Sequence, residues 1–129
     1  MTWSRAPLAK ALTAVIAPAV DDDVSVYDRP PFTLNLPSIV VSGPTEVRYA
    51  SVAFSIDEVV LPVVCVSAID DYDGVQALIV AVREALDAAD TTLGGVVSRC
   101  WASGERNWRP TKIAGLDCLA AEAVLTVYM

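Results

Sequence analysis

Apolar positions along the chain change period several times, and each change marks an element. Leu8, Leu12, Val15, Ile16 and Ala19 recur at helical spacing with Lys10 and Thr13 opposite, which predicts an amphipathic helix with Ser4 as N-cap and Pro7 in its first turn. The same stretch admits a second reading. Arg5 and Lys10 precede the apolar run Ala11 to Ala17, and Ala17-Pro18-Ala19 has the form of a small-residue cleavage site, as in a secretory signal peptide. The apolar part is short and alanine-rich, which favours the helix.

Val24 to Tyr27 alternates after the Asp21-Asp22-Asp23 turn and predicts a short strand. From Asp28 to Pro37, Pro30, Pro31 and Pro37 remove backbone donors and hold the chain extended, so this is a loop or arm. Its Phe32, Leu34 and Leu36 need a surface, either the domain's own core or a neighbouring subunit. Ser38 to Ser42 is a second strand closed by Gly43-Pro44, and Val47 to Phe54 a weaker third. Val59 to Ala68 is a β-branched run, typical of a strand covered on both faces, with Pro62 placing its start at an edge or a bulge.

Val75, Leu78, Ile79, Val82 and Leu86 mark one face of a second helix, expected from Asp73 to Ala89, with Asp71 or Asp73 as N-cap and a stop before Gly94-Gly95. A strand around Val96 to Trp101, a polar loop from Ala102 to Pro110 and a closing strand from Leu119 to Tyr128 follow. The order and the short links suit antiparallel pairing. The expectation is a single α+β domain over residues 1–129, two helices packed on one face of a mainly antiparallel or mixed sheet.

Composition narrows the chemistry. The 129 residues are 54% hydrophobic and 19% charged, with mean hydropathy +0.48, which excludes a disordered chain. There is no histidine, so Ser-His-Asp and Cys-His catalysis and the commonest transition-metal ligand are gone. Cys65, Cys100 and Cys118 have no C-x-x-C spacing and read as buried reduced thiols. The longest aliphatic stretch, Val59 to Val66, is broken by Pro62 and is far short of the roughly 20 residues that cross a bilayer.

Asp70-Asp71-Tyr72-Asp73-Gly74 fails the calcium-loop pattern, with Gln76 at the glycine position and Val82 at the bidentate one, and helix capping accounts for it. No helix follows Gly94-Gly95, so it is no phosphate loop. A hydrolase using two carboxylates, for example Asp57 with Glu58, lacks a positioned base. No catalytic residue, metal or cofactor is therefore expected.

The formal charge is −7, which disfavours nucleic acid and anionic lipid as general partners. One stretch runs against it. Residues 99 to 112 hold Arg99, Arg106, Arg109 and Lys112 against Glu105 alone, with Trp101 and Trp108 interleaved, whereas the other 115 residues hold five basic and fifteen acidic side chains. Bases and aromatics so mixed suit single-stranded nucleic acid. They also suit a protein interface, where Trp and Arg are the enriched anchors. A third reading is a hairpin loop whose tryptophans fold back on the core. Between the first two, the acidic surface of a second copy favours the interface. Trp3 is a further aromatic outlier, a terminal staple or a contact to a neighbour.

Read in sequence, the alanine-rich helix, Val24-Ser25-Val26-Tyr27, the proline-rich run to Pro37-Ser38-Ile39-Val40-Val41, the valine strand, Asp73-Gly74-Val75-Gln76-Ala77-Leu78 through Ala85-Leu86 and Leu93-Gly94-Gly95 resemble tail terminator proteins of long-tailed phages. The likeness covers roughly residues 8 to 128 and rests on order and spacing. Richness in Ala, Val, Asp and Arg with only two lysines and two asparagines fits GC-rich coding, as in phages of actinobacteria. The resemblance implies a small α+β subunit of the virion, assembled in the host cytoplasm. It would form a hexameric ring on the finished tail tube, stop addition of the major tail tube protein and present a surface to the head-tail connector. It would let DNA pass without sequence-specific contact, and it has no membrane partner. Phe32, Trp101, Arg106, Trp108 and Arg109, in the two extended segments, are the candidate subunit or tube contacts. The alternatives are a head-tail connector or other minor tail completion component, and a secreted binding domain should the segment to Ala19 be removed.

Overall fold

The computed structural model describes residues 5–29, 31–41, 46–51 and 56–128, with side chains for 7–29, 31–41 and 58–128. The Ser4 cap, Trp3, the Gly43-Pro44 turn, the end of the third strand at Phe54 and the Asp57 side chain lie outside what is described.

Helix α1 (Arg5–Ile16) continues as a 3-10 turn, Ala17–Ala19. The change falls where Pro18 lacks the N–H that another α-helical bond needs. Leu8, Leu12 and Ile16 are fully buried, so the segment belongs to the core. Helix α2 (Tyr72–Ala88) starts at Asp71, whose carboxylate accepts from the Gly74 N–H at 3.1 Å and from the Ser67 hydroxyl at 2.6 Å. These bonds, with Ser67 contributing most, hold the Asp71 carboxyl below its ordinary value. A Cβ at position 74 would meet that carboxylate, which would have to shift to admit it. The acidic cluster is thus a helix cap. The expected apolar face of α2 is buried, joined by Ala85.

The strands are β1 (Ser25–Tyr27), β2 (Ser38–Val41), β3 (Glu46–Ser51), β4 (Ile56–Ala68), β5 (Arg99–Ile113) and β6 (Leu116–Tyr128). They form a mixed sheet ordered β1-β2-β4-β6-β5, with β3 pairing on β4. Among the described strands, β1 and β2 pair parallel and the other pairs are antiparallel. The α+β expectation holds, with both helices on one face. That face is one layer of apolar side chains: Leu8, Leu12 and Ile16 of α1 and Val75, Ile79 and Val82 of α2 meet Val59, Leu61, Val63 and Cys65 of β4 and Leu119, Leu125 and Val127 of β6.

Two expectations change. Pro62 sits inside a central strand instead of at its start. It pairs with Val124 of β6 on one side; on the other, β2 reaches only Val63 and β3 only Val60 among the described residues. The proline therefore falls in a gap between neighbours, where a missing N–H disturbs least. The larger change is β5. The expected strand at Val96 to Trp101 and the polar loop Ala102 to Pro110 are replaced by a single strand from Arg99 to Ile113, paired with β6 through the two-residue turn Ala114-Gly115. Both turn residues have positive φ, 52° and 80°, as the twist of a tight hairpin requires.

Cys65 and Cys100 lie in the helix-side core and burial pushes both thiols up to about 12. Cys118 packs on the opposite face, so Cys100 and Cys118 are kept apart by the sheet itself.

Candidate functional site

Among the described residues, no helix covers the second face of the sheet. One end of it is covered by residues 31–37, which lead into the start of β2: Leu34 and Leu36 pack with Val64 and Val66 of β4, Cys118 and Ala120 of β6 and Ile113 of β5. The Asn35 N–H donates to the Tyr27 hydroxyl at 3.3 Å and ties the loop back to β1. Leu34 and Leu36 therefore use the domain's own core, while Phe32 between them and β1 is fully exposed at 103% of its reference surface.

The other end of this face is built by β5 and β6. Trp101 packs edge-on against Tyr128, ring centroids 5.0 Å apart, and the Arg99 guanidinium lies 4.8 Å from the Trp101 ring centroid, a cation–π contact. Further along, Glu122 of β6 is 8% exposed. Its carboxylate accepts from Arg106 Nε and from Asn107 Nδ2, both at 3.1 Å, and lies 3.7 Å from Arg109 Nη1. Arg109 also donates to the Asn107 carbonyl at 2.9 Å. One buried carboxylate thus organises two guanidiniums, whose combined charge exceeds its own. A lone acid in the apolar run Leu119 to Val127 is the sequence signal that would have found it, because a buried carboxylate needs cationic partners and residues 99–112 hold the surplus.

The local cause is a pair of bulges. Pairing with β6 slips between Ala102 and Gly104 and again between Arg106 and Arg109, where Asn107 takes a positive φ of 59°. In a regular strand, residues three apart face opposite ways. Here the second bulge places Arg106 opposite Glu122 and Arg109 opposite Ala120, both on the helix-free face. It sends Trp108 to the other side, where it packs on the helix-side core and stacks on Tyr72 of α2 at a centroid distance of 6.2 Å.

Of the five residues singled out from sequence, Trp101, Arg106 and Arg109 share the helix-free face and Phe32 stands on the loop that crosses it. Trp108 does not join them. Arg99, Asn107, Glu122 and Tyr128 complete the patch. Among the described residues no group of three His, Cys, Asp or Glu side chains converges on a metal-sized site. No described helix is long and apolar enough to cross a membrane.

A family model described as tail completion protein gp17 matches residues 6–111, more than four-fifths of the chain, from α1 through most of β5. The chain belongs to this family. It is a phage tail completion protein, a structural component of tail assembly whose place is the virion tail. The match takes in the Phe32 loop and the basic stretch of β5 and stops short of β6, so the Glu122 carboxylate lies outside it. A search of curated proteins finds no match to the chain.

Proposed function

We propose that this tail completion protein is the tail terminator of a long-tailed, siphovirus-type phage, with residues 1–129 acting as one unit. It closes into a ring on the finished tube, stops addition of the tube protein and joins the tail to the head connector, by geometry and self-association and without catalysis. The observation that carries this is the open sheet: its two outer strands, three-residue β1 and fifteen-residue β5, are unlike each other. Contacts between copies that join unlike surfaces head to tail generate rings when the rotation closes. The exposed Phe32 and the Trp101 cluster are the aromatic anchors such contacts use. Six copies is the expected number, the sparse use of lysine and asparagine fits an actinobacterial host, and assembly takes place in the host cytoplasm. An acidic ring, given the net charge of −7, would let DNA slide through without sticking.

Negative-stain microscopy with native mass measurement on the purified protein, alone and mixed with assembled tail tubes, tests the reading. Rings, or density capping one tube end, are expected. A monomer that ignores tube ends and binds the portal side of the neck would assign it to the head-tail connector instead.

A further inference from the structure

Phe32 is the most exposed large apolar side chain among the described residues: 103% of its reference surface is open to water, against 56% for Tyr72, the next. Its backbone is held in place. Leu34 is buried and Leu36 half-buried against the helix-free face, and the Asn35 N–H is tied to the Tyr27 hydroxyl, so the phenyl group stands out from an anchored segment. A contact made by a segment already in position pays little for ordering it.

The same chain holds an unfilled apolar groove. Between the end of α1 with its 3-10 turn and the last turns of α2 lies an open hollow of about 330 Å³ lined by Val15, Pro18, Ala19, Ala85, Ala88 and Ala89. None of these side chains is charged or forms hydrogen bonds, so the lining favours an apolar occupant. The volume stands at the low end of the range of about 300–1,000 Å³ typical of sites for small organic groups, which suits one aromatic side chain.

Groove and phenyl group cannot meet inside one subunit. Val15 and Ala85 belong to the helix-side layer, whereas the Phe32 segment packs through Leu34 and Leu36 on the opposite face, and the sheet stands between them. Charge allows a second copy here where it disfavours one elsewhere. At a net −7, copies repel wherever their acidic surfaces meet, but residues 11–20, which form one wall of the groove, and residues 31–37, which carry Phe32, contain no charged side chain. Glu84 and Asp87 flank the alanines of the α2 wall, and the incoming segment brings no acid to face them. An apolar projection and a pocket elsewhere on the same molecule join copies head to tail, in contrast to the two-fold dimer, where one patch meets itself.

We infer that the groove between α1 and α2 is the seat of Phe32 from a second copy. This rests on the ring reading above and gives each contact a direction, the helix layer of one subunit receiving the opposite face of the next.

The test uses two full-length variants. Phe32→Ala removes the projection, and Ala88→Arg closes the groove at an exposed position in the last turn of α2, where a cation is favourable to the helix. Circular dichroism and thermal unfolding establish that both fold; Ala19→Arg, on the facing wall, replaces Ala88→Arg should the latter lower the unfolding midpoint. Assembly, alone and on tail tubes, is read by native mass spectrometry and microscopy. Each variant alone is expected to need roughly tenfold to a hundredfold higher concentration than wild type to assemble, the loss that follows from leaving one phenyl group in water. An equal mixture, in which one chain keeps the projection and the other the groove, should give 1:1 pairs at high protein concentration and no rings. Salt should favour wild-type assembly, because it screens the repulsion of acidic copies and strengthens apolar burial.

Rings formed by Ala88→Arg and Ala19→Arg as readily as by wild type would overturn the groove assignment and leave the ring reading intact, as would dissolution of wild-type rings at high salt. Tube capping lost in Ala88→Arg with self-assembly unchanged would assign the groove to the tube protein and overturn the proposal. Open filaments in wild type, abolished by both variants, would keep the contact and overturn the ring. A wild type that stays monomeric at every concentration, on tubes and off them, would remove both.

Discussion

The two faces of the sheet solve different problems with the same strands. Toward the helices, β4 and β6 present Val59, Leu61, Val63, Leu125 and Val127 to a layer of equally apolar helix residues, all essentially without solvent contact. Toward the open side, the alternate positions of those strands carry Glu122 and Thr126, meet the aromatic and basic side chains of β5, and are roofed at one end by a loop. The first face is redundant, since many large side chains share its burial. The second is specific, since one carboxylate and one bulge fix the position of several charged groups. Apolar packing is therefore concentrated on one side and the polar and aromatic network on the other.

The largest effect should come from breaking the first side. Leu12→Ala or Ile79→Ala removes a fully buried side chain between helix and sheet and should cost about 2–5 kcal/mol, read as a lower urea midpoint with little change in slope. An equal loss from Thr126→Ala on the open face would show that stability is not so divided.

Glu122→Ala comes next. It strands Arg106 and Arg109 without their shared carboxylate, but both guanidiniums reach water, 34% and 47% exposed, so the cost should be about 1–2 kcal/mol and not the larger penalty of a sealed ion pair. Glu122→Gln keeps the shape and the acceptor and should recover part of it. A loss as large as that of Leu12→Ala would mean that the polar network, and not the apolar layer, holds β5 in place.

These two sides were unequally legible in the sequence. The helix-side layer announces itself because Val75, Leu78, Ile79, Val82 and Leu86 keep one period through seventeen residues of α2, and Val59 to Val66 keeps its β-branched run. Strand β5 hides, because two bulges break the two-residue alternation that would reveal it and because Gly104, Asn107 and Pro110 are turn-forming residues by composition. An edge strand paired on one side tolerates all three. The same bulges explain why Trp101 and Trp108, grouped by charge and spacing, face opposite ways. Glu122 and Tyr128 are supplied by β6, many residues away; the lone acid hints at a cationic partner in residues 99–112, but it takes the register to show that the two meet Arg106 and Trp101.

A smaller effect should appear where the faces meet, at the cap of α2. Ser67 is buried at 4% exposure and its hydroxyl donates to Asp71, the chief reason the Asp71 carboxyl lies below 3.8. Ser67→Ala should cost about 1 kcal/mol at neutral pH. The depressed folded-state value means that the cap contributes fully above the unfolded value near 4 and is lost as pH falls through the lower folded one. The difference between wild type and Ser67→Ala should therefore be flat from pH 7 to 5 and narrow toward pH 3. A difference that instead widens on acidification would mean that the hydroxyl accepts a hydrogen bond from a protonated Asp71.

Phe32→Ala should have the smallest effect on stability and is the sharpest separation of the two sides. The ring makes no buried contact, whereas Leu34 and Leu36 anchor the loop that carries it, so removing the ring should leave the unfolding midpoint within about 0.5 kcal/mol of wild type. Phe32 is one of the contacts proposed above, and a fully exposed ring has no packing role in the subunit, so its removal tests the proposed contact without disturbing the core. Capping of tail tubes should fall while the monomer stays folded; Leu34→Ala, by contrast, should lower both together, because the loop itself is released from Val66 and Ala120. Unchanged capping in Phe32→Ala would move the contact surface away from this loop and onto the Trp101 and Arg109 edge alone.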